Sequence, residues 1–149
     1  MLQRLSFLIL SISFAIISSG QNELGGIGQW REHYNNRSVT QLGIANSSNG
    51  NKKIIGATTQ QAFSITATNK VALLGKSTGL HDISIACSAW DDAQSQLIIA
   101  YNNSNIDIVK GDQVYAITDL LLSNLYPSKK INHIYLLNQW ALLSTDFGI

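Results

Sequence analysis

From about Val39 onward, apolar residues alternate with polar ones or gather in short runs, and Asn, Gly, Asp, Ser and Lys separate the runs. That spacing predicts short β-strands joined by tight turns. The strands also repeat. Ile54–Leu74 superimposes on Leu97–Ile117 without a gap at an offset of 43 residues. Ile54 falls on Leu97, Ile55 on Ile98, Ala57 on Ala100, Phe63 on Ile106, Ile65 on Ile108, Val71 on Val114 and Leu74 on Ile117. Asn69 falls on Asp112, where a hairpin needs a residue that tolerates positive φ or bonds its own backbone. At the same offset Leu42 falls on Ile85 and Ile44 on Cys87. A third copy starts at Ile131–Leu136, continues through Ala141–Ser144 and reaches Ile149 inside the pattern.

Each full copy holds four strands. The first has about Val39–Ala45, Lys53–Thr58, Ala62–Thr66 and Lys70–Leu74. The second has about Ile83–Ala89, Leu97–Tyr101, Asn105–Val109 and Gln113–Ile117. A period of 40–45 residues with four strands is that of a β-propeller blade. A β-sandwich also has short strands at similar spacing, but it needs no sequence repeat. The pattern therefore predicts an all-β chain of four-stranded antiparallel blades over residues 39–149. Two are complete, at about 39–74 and 83–117, and part of a third spans 131–149. Propellers close with four to eight blades, so the expectation is an incomplete propeller, the N-terminal piece of a longer protein. Asp119–Ser128 interrupts the repeat; it holds the one Pro, and Leu120–Leu122 suits a single helical turn or a lid over the blade edge.

Residues 1–20 break the strand pattern and read as a secretory signal peptide. Arg4 supplies the positive start, Leu5–Ile17 the apolar run, and Ser18-Ser19-Gly20 the small residues at the cleavage site. A run of about 13 residues is short for a helix that crosses a bilayer, which takes about 20. Residues 21–38 then form an N-terminal lead-in segment, and no later stretch is apolar enough to span a membrane. Without Arg4 the mature chain carries nine basic and nine acidic residues. A neutral chain lacks the electrostatic footprint of a nucleic-acid binder. The single Cys excludes an internal disulfide and a cysteine-rich zinc site. With 45% apolar residues the chain can bury a core.

Candidate chemistry is sparse. The histidines are His33, His81 and His133. Asp82 is placed to orient His81 for acid–base work, yet no nucleophile accompanies them, so Gly79–Asp82 reads better as a loop leading into a strand. Cys87 takes a repeat position that predicts a buried small hydrophobe. Trp90-Asp91-Asp92 reads as the turn before Leu97. Asn102–Asp107 offers oxygen atoms but lacks the carboxylates and Gly of a calcium loop, which leaves a hairpin turn. Asp146-Phe147-Gly148 matches one kinase tripeptide and nothing else of that set. Trp30–His33 suits a tryptophan packed where the mature chain joins the blades, with Arg31 and Glu32 in water. The expectation is no catalytic residue, no metal site and no cofactor, hence no enzyme.

Gly28–His33, Gly79–Asp82, Asn105–Gly111, Ile131–Tyr135 and Asp146–Ile149, in this order and spacing, resemble the N-terminal propeller of the PorZ family. The resemblance runs from about Gly28 to Ile149 and is weakest in Ile44–Lys53 and Thr58–Ala62. It implies a surface component of the type IX secretion system of Bacteroidota, a long secreted protein with two seven-bladed propellers and a C-terminal β-sandwich. It further implies partners PorU, PorV and PorQ in an attachment complex on the outer-membrane surface, with anionic lipopolysaccharide as a ligand of the whole protein. The other class in view is a ligand-sensing periplasmic propeller of a two-component regulator, whose blades share this pattern. Either way the chain is exported through the inner membrane, to the periplasm or the outer-membrane surface.

Overall fold

The computed structural model describes residues 38–46, 52–124 and 126–149. The described residues all lie in the compact unit Arg31–Ile149. The signal peptide expected at 1–20 and nearly all of the expected lead-in segment at 21–38, including Trp30–His33, fall outside the described residues.

Two four-stranded antiparallel sheets follow one another. Blade 1 consists of β1 (Val39–Asn46), β2 (Lys52–Thr58), β3 (Ala62–Thr66) and β4 (Val71–Leu74). Blade 2 consists of β5 (Ile85–Asp91), β6 (Gln96–Tyr101), β7 (Ile106–Lys110) and β8 (Gln113–Ile117). In each sheet the spatial order equals the chain order. A short helix α1 (Asp119–Leu122) leads to a hairpin of β9 (Ile131–Leu137) and β10 (Trp140–Thr145). The first strand of each unit is the inner one: β5 packs against β1 and β2 on one side and β9 on the other. This is the blade arrangement of a propeller, left open here.

The turns follow local chemistry. Asn69, Gly111 and Asn138 take positive φ in the β3–β4, β7–β8 and β9–β10 turns, where Asn and Gly tolerate it best. Asn69 was aligned with Asp112, yet Gly111 carries the positive φ. At the opposite ends of the strands, Tyr101 N–H donates to Asn105 O and Thr58 N–H to Gln61 O, each at 2.9 Å. Lys129 holds α1 in place: its ammonium donates to the carbonyls of Leu121 at 2.7 Å and Ser123 at 2.8 Å. Those are C-terminal carbonyls that a helix leaves unpaired, and a cation suits that end.

Two expected strands are displaced. β5 covers Ile85–Asp91 rather than Ile83–Ala89. Ser84 takes φ 66°, which breaks the extended chain, and Ile83 N–H folds back onto Asp82 Oδ1 at 2.8 Å. β7 covers Ile106–Lys110 rather than Asn105–Val109, because Asn105 closes the preceding turn.

The core is two seams between blades. The first gathers Ala45, Ile55, Ala57 and Ala62 of blade 1 against Leu80, Ile85, Leu97, Ile99 and Tyr101. The second gathers Cys87, Ile98, Ala100 and Ile106 of blade 2 against Ile131 and Ile134 of β9. Both faces of β6 are therefore buried, which explains its unbroken run Leu97-Ile98-Ile99-Ala100-Tyr101.

The pairing also shows where the constant offset fails. Ala57 pairs with Gln41, and its equivalent Ala100 pairs with Cys87. The structural equivalent of Cys87 is thus Gln41, not Ile44: the inner strand is shifted by three residues. An odd shift turns a strand over. Ile44 consequently faces away from blade 2 and is exposed, whereas Cys87 faces β9 and is buried.

Candidate functional site

The polar groups of the first seam meet at Asp107, a fully buried carboxylate on β7. Its Oδ1 accepts from His81 Nδ1–H at 2.9 Å. Its Oδ2 accepts from His81 backbone N–H at 2.8 Å and from the Tyr101 hydroxyl at 2.7 Å. Three donors are what allow a buried carboxylate to stay at low cost. Leu80, buried next to His81, fixes the same loop by its apolar side. The connection between the blades is thereby anchored to the middle of blade 2. Burial, then the hydrogen bond to Asp107 and the charge of that carboxylate, push the Tyr101 phenol far above its ordinary pKa.

Gly79–Asp82 is a loop leading towards β5, the reading the sequence favoured, and Asp82 does not orient His81. It accepts from Ile83 N–H and from the Asn103 amide, and Asp107, 26 residues along the chain from His81, holds the imidazole instead. The Asn102–Asn105 stretch is the expected turn, with Ser104 at φ 72°. Asp107 itself lies in β7, not in that turn. Ser104 Oγ donates to Lys129 O at 2.6 Å and Asn102 N–H to Ser84 O at 2.9 Å, so the same turn ties both inter-blade connections together.

At the other end of the seam Trp90 and Asp91 belong to β5, not to the turn that was expected to begin at Trp90. Asp91 Oδ1 accepts from the backbone N–H groups of Ala93 and Gln94 and so shapes the turn. Asp92 joins the blades. It accepts from Asn46 backbone N–H at 3.0 Å, the Asn46 amide at 2.9 Å and Trp90 Nε1–H at 2.7 Å. The Asn46 N–H, then the indole, hold its pKa below the usual range. Between these ends, Gln41 Oε1 accepts from the N–H and, at 2.8 Å, the hydroxyl of Ser88. A side chain of β1 thus satisfies a backbone donor of the inner strand of the next blade.

Cys87 is buried, as expected, and burial pushes its thiol up to about 11. His133 is exposed on β9, opposite Ser144. Asp146-Phe147-Gly148 forms a turn in which Asp146 accepts from Ser128 and Asn132. The Ser128 hydroxyl, then the Asn132 amide, lower its pKa. Phe147 stacks on Tyr126 with ring centroids 4.1 Å apart. Among the described residues no three His, Cys, Asp or Glu side chains gather where they could share a metal ion. No helix among them is long and apolar enough to cross a membrane.

The sequence weighed Asp107 only as an oxygen of the Asn102–Asp107 turn and did not single out Tyr101. The available signal was a lone acid inside Ile106-Asp107-Ile108-Val109, a strand otherwise free of charge until Lys110. A carboxylate there needs donors from a neighbouring segment.

Meander blades packed side by side through their inner strands, with hydrogen bonds stitching the first seam at both ends, define a protein of the β-propeller class. The chain belongs to the family of the N-terminal β-propeller domain of PorZ of the type IX secretion system, whose family model matches residues 54–149. A solved structure of PorZ is similar, described as an essential bacterial surface component of the type-IX secretion system of human oral-microbiomic Porphyromonas gingivalis. It shares 20% identity at a TM-score of 0.59, over 68% of this chain and 14% of that one. That likeness shows the fold. The present chain therefore spans about a seventh of the length of the solved protein. No curated protein matches.

Proposed function

We propose that this chain is a non-catalytic part of a surface propeller of the type IX secretion system. In this reading it is exported and works at the outer-membrane surface beside PorU, PorV and PorQ, within a protein that meets anionic lipopolysaccharide. The observation that carries the proposal is the family match over residues 54–149, which spans most of both blades and the following hairpin. The seam chemistry supports it. Asp107 spends its oxygens on Tyr101 within blade 2 and on His81, which fixes the loop joining the blades. A scaffold needs such rigid spacing; a hydrolytic site would need a free base beside a nucleophile.

The test is purification of the epitope-tagged protein from the outer-membrane fraction in mild detergent, followed by mass spectrometry. Co-purification of PorU, PorV and PorQ is expected. Recovery with an inner-membrane histidine kinase would replace this reading with that of a sensor.

A further inference from the structure

Between strands β2–β4 of blade 1 and strands β5–β7 of blade 2 lies a cleft of about 360 Å³. Its blade 2 wall is Trp90, Leu97 and Val109; its blade 1 wall includes Ala62, Ser64 and Ala72. The register explains the space. Ala62 pairs with Ala57 and Ser64 with Ile55; in blade 2, Ile106 pairs with Ala100 and Ile108 with Ile98. One strand further out, Ala72 pairs with Ser64, and Tyr115 pairs with Ile108. Blade 1 therefore has Ala62, Ser64 and Ala72 where blade 2 has Ile106, Ile108 and Tyr115. Three large side chains of the repeat are missing from one wall, in adjacent strands, all on one face.

The cleft adjoins a free sheet edge. β4 is the last strand of its sheet, and among the described residues no strand pairs with its outer side. An unpaired edge presents a row of backbone donors and acceptors that a further strand can satisfy. Because side chains alternate along a strand, every second residue of one added to β4 would point into the cleft. The charged side chains on the lining are Lys53 and Asp112, and neither is ion-paired among the described residues.

The geometry points to a docking site for an extended polypeptide segment, one that pairs with the outer edge of β4 and places large apolar side chains in the space left by Ala62, Ser64 and Ala72. Its partner is a strand of alternating apolar and polar residues with an acid and a base near its ends, matching Lys53 and Asp112. This assignment does not depend on where the protein works in the cell.

The full chain, tethered sparsely so that copies cannot meet, is exposed to a fluorescent blocked peptide of sequence Glu-Thr-Phe-Thr-Leu-Thr-Lys. Saturable binding of one peptide per chain is expected, with slower hydrogen exchange at the β4 amides. Ser64→Ile with Ala72→Tyr, which installs the residues of blade 2, should weaken binding by at least about tenfold while the melting midpoint holds or rises. The exchange measurement needs no variant and stands even if the double substitution fails to fold. Absence of saturable binding overturns the proposal. So does binding that survives in a folded double variant, which would make the cleft a packing void, or binding that leaves the β4 amides unprotected. Uptake of dodecanoate in place of the peptide overturns it too, by making the cleft a lipid site.

Discussion

Asp107 sets the cost of disturbing the first seam. Replacing it by Ala strands the Tyr101 hydroxyl and the His81 N–H groups without an acceptor, two of the three donors coming from the loop that joins the blades. The expected loss is about 3 kcal/mol, read as a lower urea midpoint at unchanged slope. His81→Ala removes one donor from a half-exposed ring and keeps the backbone bond, so about 1 kcal/mol is expected. Cys87 gives a test in pH. The folded chain keeps the thiol protonated up to about 11, against an ordinary value of 9.0. Its contribution is fully present below pH 9 and is lost as pH rises towards 11, on the order of 2 kcal/mol in all. Tyr101, also raised, acts in the same direction. Cys87→Ala should flatten part of that alkaline slope. Iodoacetamide should label native Cys87 slowly at pH 8 and rapidly once the chain is denatured. Fast native labelling would mean that β9 does not cover the thiol.

At the scale of the strand, the existence and number of elements were legible in the alternation, but their register was not. A constant offset relates β2 to β6 and β4 to β8, while the inner strands are shifted by three residues and β3 against β7 by one. Turns set these shifts. Three residues separate β2 from β3, and four separate β6 from β7. Alternation along one strand cannot report the length of the turn beside it, so Ile44 and Cys87 were matched and the face of Ile44 was misread. The Asp107 cluster was missed for a related reason. Its members come from a loop and two strands, and β7 is covered on both faces, which removes the polar–apolar contrast that marks a strand's sides. Gly56 shows how pairing makes its own demands. Phe63, its partner across the sheet, lays its ring over the glycine, and a Cβ there would sit 2.3 Å from the ring tip. Gly56→Ala should cost about 1 kcal/mol and far less in a Phe63→Ala background, a coupling that a double-mutant cycle in urea would read.

For the molecule as a whole, the face of blade 1 turned away from blade 2 matters most. The pairing Ile44–Ile54–Ile65–Val71 makes one row across it and Leu42–Gly56–Phe63–Leu73 the next. Neither row holds a charged residue, and Leu42, Ile44, Val71 and Leu73 are each at least half exposed. At about 25 cal/mol per Å² of apolar surface, covering such a face is strongly favourable. The chain purified by itself should therefore self-associate as its concentration rises, which light scattering would follow. Ile44→Lys with Leu73→Lys should shift that association to higher concentration by about tenfold or more. A monomer at all concentrations would show that the face is covered from within the chain.

Strand order has one more consequence. Each sheet is a simple meander in which every strand pairs with its neighbours in sequence. No strand waits for a distant segment before it can bond, and contacts of short sequence separation form fastest. Among the described residues no strand of one blade pairs with a strand of another; isolated ties such as Gln41 to Ser88, Asn46 to Asp92 and Ile85 N–H to Thr59 O reach from one blade to the next, and they become available once that blade exists. A chain delivered end first through a narrow passage can thus acquire structure in the order in which it emerges. Each finished sheet then serves as the template on which its successor condenses.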